Sequence, residues 1–226
     1  MSSSPYVRAE APNLGSSSGT PPNDLTGGGD LSPSESCNSD APLAALVPAT
    51  NPVYSGYPLF TISSHPTWLF YIPYSQNDIR YGEFTIHEYE APHDRDRLYK
   101  GEFELPQVPG IVSFSIPNEA RFSLEPYQDY RWRFKIHCEG GRTRIATGYI
   151  RRIDPTSDFE VSVEQSEPDI WYDSVAELAS RLRANQTLED IEGWNDLMDL
   201  IESDEIDSSE FMPEELVAPI NIRSSD

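Results

Sequence analysis

From Tyr130 to Cys138 apolar and polar residues alternate without interruption. Tyr130, Trp132, Phe134, Ile136 and Cys138 fall on one side; Arg131, Arg133, Lys135 and His137 fall on the other. A period of two sustained this far predicts a strand with one buried face and one wet face. The lead-in from Leu124 to Tyr130 resembles a tyrosine corner, in which a Tyr hydroxyl bonds to backbone a few residues upstream at the start of a sandwich strand. Similar short runs recur at near-regular spacing, near 58–63, 67–73, 79–89, 97–105, 110–117 and 144–153, separated by turn residues as an all-β sandwich requires. Trp68, Phe70 and Ile72 alternate with Leu69 and Tyr71, so that strand is apolar on both faces and central. Pro106, Pro109 and Pro117 mark strand ends, where a missing N–H harms no ladder.

After Asp154-Pro155 the period lengthens. Ile170, Trp171, Val175, Leu178, Ala179 and Leu182 recur at three- to four-residue steps, and so do Leu188, Ile191, Trp194, Leu197, Met198 and Ile201. Each set predicts one apolar helix face. Pro168-Asp169 is a start signal for the first helix, and the short Asn185-Gln186-Thr187 connection makes the pair an antiparallel hairpin. Leu216 to Ile220 is a third apolar piece, expected to return to the body of the protein. Residues 1–41 lack periodicity and are rich in Ser, Pro, Gly, Asn and Asp, which predicts disorder. The expected organisation is a disordered polar leader over 1–41 and an antiparallel sandwich of immunoglobulin or fibronectin type over 42–154. An acidic helical hairpin and tail follow over 155–226, packed on the sandwich.

Several segments together resemble a known family. Pro42 to Pro48, His65 to Tyr74, Pro109 to Pro117, the Tyr130–Cys138 strand, Gly148 to Arg152 and Ile170-Trp171-Tyr172-Asp173 are similar, in consistent order, to cyanobacterial proteins known only as a domain of unknown function. The resemblance implies an exported protein, periplasmic or extracellular, with a polar leader and a tetratricopeptide-like C-terminal hairpin. It brings no activity and no catalytic residue. Met1-Ser2-Ser3-Ser4-Pro5 lacks the basic start and apolar core of a secretory signal, so the sequence reads either as cytoplasmic or as starting after a removed signal.

The net charge of −22 is unevenly spread: residues 1–41 hold 5 acids and 1 base, 42–153 hold 12 and 12, and 154–226 hold 21 and 3. No nucleic-acid surface is expected from that balance. No apolar run reaches the roughly 20 residues of a membrane span. Arg131, Arg133 and Lys135 form a basic row, with Arg142, Arg144, Arg151 and Arg152 on or beside the hairpin partner strand. Alternation should send Arg151 and Arg152 to opposite faces. Stacked bases repel one another unless something negative covers them. The economical reading is that the acidic C-terminal helices cover the sheet, with tail carboxylates near Arg131, Arg133, Lys135, Arg144 or Arg152. The alternative is a bare basic face that recruits an anionic ligand such as a polysaccharide.

Candidate chemistry is sparse. GxSxG, GxxxxGK[ST], GxGxxG and HExxH are all absent, and no cofactor or metal site is expected. His65, before a Pro at a strand entry, suits a structural hydrogen bond. His93-Asp94-Arg95-Asp96 could chelate a cation, but its Arg residues oppose that. Asp204 to Glu210 is carboxylate-dense without the Gly of an EF-hand turn. Asn185-Gln186-Thr187 is a glycosylation sequon, meaningful in a eukaryotic secretory pathway. The aromatic rows read as core before they read as a sugar platform. Cys37 and Cys138 are either two free thiols or one disulfide tying the leader to the strand end, which would place the chain in an oxidising compartment. The functional expectation is a non-enzymatic binding or structural module of the periplasm or cell envelope, with a protein or envelope-polysaccharide partner. The alternatives are a hydrolase with a non-standard site near His65, His87 or His137, and an assembly adaptor working through the hairpin.

Overall fold

A computed structural model describes residues 37–39, 41–48, 59–89, 97–105, 109–154, 170–201, 211–216 and 219–220. We number the strands in chain order: β1 Ala44–Ala45, β2 Leu59–Thr61, β3 Thr67–Ile72, β4 Ile79–Glu88, β5 Arg97–Phe103, β6 Gly110–Ser115, β7 Asp129–Cys138 and β8 Thr143–Arg152. The alternation of β7 is realised residue by residue: Tyr130, Trp132, Phe134, Ile136 and Cys138 are buried, and the residues between them are half-buried. β7 is antiparallel to β4 on one side and to β8 on the other. β5 pairs with β4, and the short β2 lies parallel to β8, giving a five-stranded sheet in the order β2-β8-β7-β4-β5. A second, antiparallel sheet has the order β1-β3-β6.

Aromatic side chains from both sheets make one core. Phe70 of β3 stacks on Phe134 of β7 at 3.8 Å between centroids, and Phe84 of β4 meets Phe114 of β6 at 4.5 Å. Rings this large fit only where a neighbour is small. A Cβ on Gly82 would lie 2.1 Å from the Phe103 ring, so glycine at that position lets the ring fold across β4. At the entry to β7 the Glu125 N–H donates to the Tyr130 hydroxyl at 3.0 Å, tying the preceding turn to the strand.

The helices are α1 (Trp171–Ala184) and α2 (Leu188–Asp199). Thr187 caps α2, its hydroxyl accepting from the Asp190 N–H at 3.1 Å. Pro168 and Asp169 lie outside the described residues, and Ile170 at the start of α1 makes no side-chain cap bond. Leu188 departs from the expected apolar row: it is 80% exposed, because it stands at the hairpin tip where α1 has already ended.

α1 closes the open edge between the sheets. Trp171 donates its indole N–H to Leu46 O at 2.8 Å. Tyr172 receives the Trp132 indole N–H at 2.9 Å and donates to Tyr149 O at 3.1 Å, while Asp173 accepts from the Ile62 N–H at 3.0 Å. Burial holds the Tyr172 phenol far above its ordinary pKa, and the hydrogen bond from the Trp132 indole opposes this only in part. α2 reaches the other side of the three-stranded sheet. Trp194 bonds to Phe211 O, and the Phe211 ring meets Tyr71 of β3 at 5.3 Å. Leu216 then bridges Ile111, and the Ile220 N–H donates to Ser113 O at 2.9 Å, so both residues lie along the β6 edge. This explains why β3 is apolar on both faces: one faces the core and the other lies under the C-terminal segment. Cys37, just before β1, and Cys138, the last residue of β7, are joined by a disulfide. Among the described residues no helix is long and apolar enough to cross a membrane.

Candidate functional site

The outward row of β7 and its strand partners make the most chemically distinctive surface. Strand register fixes the neighbours. His87, Thr85, Glu83 and Tyr81 of β4 stand across from Arg131, Arg133, Lys135 and His137 in turn. Tyr149, Thr147, Ile145 and Thr143 of β8 flank the same four residues on the other side. β5 adds Lys100 opposite Thr85 and Glu102 opposite Glu83, and β8 adds Arg151 opposite Asp129. Among the described strand residues of this face six bases (Arg97, Lys100, Arg131, Arg133, Lys135, Arg151) meet three acids (Glu83, Glu102, Asp129), although the whole chain is strongly anionic.

The two ends of this face differ. At one end Glu83 is only 7% exposed and sits between Lys100 at 2.6 Å and Lys135 at 2.8 Å. Burial pushes the Glu83 carboxyl up, but hydrogen bonds from Lys100 and Lys135 outweigh it and hold the carboxyl below its ordinary value. His137 stacks on Tyr81 at 4.3 Å, with Nδ1 3.3 Å from the Thr143 hydroxyl. Its Nε2 is buried with no hydrogen-bond partner among the described residues. Burial pushes the imidazole pKa down, Glu83 partly opposes this, and the net shift is downward.

At the other end Arg131 holds its guanidinium 5.9 Å from the Tyr149 ring centroid and its Nε 3.4 Å from the Thr147 hydroxyl. Tyr89 meets Tyr149 edge-on at 5.3 Å. Asp129 is held by a two-pronged contact with Arg151.

The depressed values at the Glu83 end predict an acid-sensitive fold. Both groups bind protons more readily unfolded than folded, so stability rises with pH through each of their titrations. The His137 contribution is complete above the ordinary histidine value of 6.5 and is lost as pH falls below it. The Glu83 contribution is lost only as pH falls below the ordinary 4.5. Urea midpoints measured from about pH 8 to about pH 3 should therefore fall in two stages, and His137→Gln should remove the upper one. A single stage near 4.5 in the natural protein would contradict the role given to His137.

The other anticipated site residues separate. Arg144 and Arg152 do not join the basic row. Alternation along β8 turns them to the inner side, at its two ends, where Arg144 donates to Cys37 O at 3.0 Å and Arg152 to Leu124 O at 2.8 Å. Arg151 takes the outward place instead. The two described helices lie away from the basic row, and the acidic stretches that flank them fall outside the described residues. α1 reaches β7 from its inner face through Trp132, and α2 lies toward the three-stranded sheet. The physical reason is that Leu69, Tyr71 and Ile111 offer the helices an apolar bed, and apolar burial outweighs surface ion pairs of about 0–1 kcal/mol each. Two ion pairs lie within the hairpin, Arg181 with Glu177 and with Asp190. Residues 155–169, 202–210 and 221–226, including the Asp204–Glu210 segment, lie outside the described residues, as does His93.

The three described histidines are dispersed. His65 ties a loop through Ser64 Oγ and Glu119 O, both at 3.0 Å. His87 and His137 face opposite ends of β7, about 20 Å apart at the rise of a strand. No group of three or more metal-ligating side chains occurs among the described residues. On the hairpin the exposed apolar residues Leu188 and Leu200 are about 18 Å apart along the helix and form no single patch. Sequence reading missed Glu83 and the Tyr89–Tyr149 pair. Both were visible as residues, but their neighbours depend on strand register.

Residues 26–211 match the family described as Domain of Unknown Function (DUF928). The chain belongs to DUF928. The matched span takes in both sheets, both helices and Phe211, so this family is defined over the β body and the hairpin together. Both cysteines of the DUF928 chain fall inside it. No curated protein matches the chain.

Proposed function

We propose that this DUF928 chain is a non-catalytic binding module of the cell envelope, holding an anionic polymer against the outer face of its five-stranded sheet. The observation that carries this reading is the excess of bases over acids on that face in a protein whose charge is otherwise strongly negative. A local field of opposite sign concentrates anionic partners, while the rest of the surface repels them. The strand order supports a recognition scaffold. β1 belongs to one sheet and β2, the next strand, runs parallel to the far edge of the other. With the Tyr130 hydroxyl bonded at the β7 entry, this resembles the immunoglobulin type, whose faces and loops serve binding. The disulfide favours an oxidising compartment such as the periplasm.

The test uses the full chain and an acidic polysaccharide, polygalacturonate, at low and physiological ionic strength. Binding should weaken as salt screens the face. Reversing two charges, Arg131→Glu with Arg133→Glu, should lower affinity by at least about tenfold without changing the thermal midpoint by more than a few degrees. Equal binding by the folded variant, or no binding to the polymer at low salt, overturns the reading.

A further inference from the structure

The outer face contains one end that is charge-matched and one that is not. Lys100 and Lys135 both spend their charge on Glu83. Arg131, by contrast, has neutral partners among the described residues, a hydroxyl at 3.4 Å and the Tyr149 ring. The acid beside it, Asp129, is already taken by Arg151. Tyr89 is 41% exposed, and its ring stands at 77° to that of Tyr149. Both residues are anchored through backbone: the Tyr89 N–H donates to Asp129 O at 2.8 Å, and Tyr149 O accepts from Tyr172. Tyr149 stands within β8 and Tyr89 directly after β4, so both rings project from anchored backbone, as a preformed surface requires.

Tyr127 adds an independent sign at the same end. It precedes Asp129 by two residues, is 50% exposed and has φ +63°. The turn itself is secured by the Tyr127 N–H donating to Arg152 O at 2.7 Å, a job that needs no side chain. Glycine or asparagine would occupy this left-handed conformation at lower cost. A tyrosine retained there with half its surface in water is better explained by its ring than by the turn.

We propose that this end of the sheet is a subsite for a carboxylated sugar, a uronic-acid unit of an acidic polysaccharide. The inference rests on the anion-binding reading of the face. A guanidinium offers a planar fork that matches a carboxylate. Exposed tyrosine rings present apolar faces to the C–H side of a pyranose, and Thr147 and the tyrosine hydroxyls can pair with sugar hydroxyls. A protein partner fits less well. Protein anchors are centred in dry apolar pockets, whereas the outward neighbours of Tyr149 on β7 and β8 are Arg131, Thr147 and Arg151.

The test compares polygalacturonate, poly-L-glutamate and neutral dextran by titration calorimetry on the full chain at one low ionic strength. Polygalacturonate should bind at least about tenfold more tightly per carboxylate than polyglutamate, and dextran weakly. Tyr89→Ala and Arg131→Lys, the second keeping the charge but losing the fork, should bring the two polyanions within about twofold of each other while polyglutamate binding changes little. Tyr89 is exposed enough that its replacement should leave the thermal midpoint unchanged, which separates loss of the subsite from loss of the fold. Equal affinity for both polyanions in the natural protein, or a preference that survives Tyr89→Ala, overturns the sugar subsite and leaves the anionic face standing. If neither polyanion binds, both fall.

Discussion

Replacing Cys37 and Cys138 together by alanine should cost about 4 kcal/mol of folding stability, the largest effect expected from any pair of side chains here. The two residues are 101 positions apart. In the unfolded chain the bond therefore closes a long loop, and the entropy it removes grows with loop length to about 4–5 kcal/mol in the chain-entropy model. Both residues are fully buried, so alanine is chosen to avoid placing a hydroxyl in the core. The bond also has a local role. It holds the segment before β1 against the end of β7, where Arg144 reaches Cys37 O. Urea unfolding without reductant should show a lowered midpoint for the variant, and the natural protein should fall to nearly the same value in excess reductant. A loss under about 1 kcal/mol would mean that packing around Leu43, Ala44 and Ala45 already fixes this segment, and that the bond closes a loop which the unfolded state keeps compact.

Much of the β body was legible because period two is unambiguous where it is long. Tyr130 to Cys138 gave both faces of β7, and the double apolarity of Trp68 to Ile72 marked a strand covered on both sides. Alternation also held the information that separates Arg151 from Arg152, yet grouping Arg144 and Arg152 with the β7 row set that parity aside. Other features depend on register, which single residues do not encode. Glu83 meets Lys135 across 52 positions, and only the β4–β7 pairing says so. The placement of the helices was obscured by a competition between two forces. Their acidity pointed to the basic row and their apolar stripes to any apolar bed, and the strengths of the two effects favour the bed. Leu69 and Tyr71, outward on β3, were the residues that could have indicated it. Tyr89 escaped notice because it lies just past the last alternating residue of β4 and acquires meaning only beside Tyr149.

Trp171→Ala should detach the first turn of α1 and destabilise the protein by about 3–5 kcal/mol, the usual range for removing a fully buried Trp. Trp171 has no exposed surface and is the first residue of α1. Its loss leaves a cavity at the edge between the sheets and takes the indole N–H from Leu46 O, an acceptor that then stays buried without its partner. Leu46 is itself tied to β3 through its N–H to Leu69 O at 2.9 Å, so the damage should spread into the three-stranded sheet. Hydrogen exchange should accelerate in α1 and β1 before the middle of β7 responds. Leu188→Ala at the hairpin tip is the matched control and should stay within about 0.5 kcal/mol. Raising salt should not imitate Trp171→Ala, because the Arg181 pairs with Glu177 and Asp190 lie within the hairpin and are solvent-screened at its surface. If Trp171→Ala unfolds within about 1 kcal/mol of the natural protein, or if salt alone frees α1, then apolar burial is not what holds the hairpin, and charge must be setting its place after all.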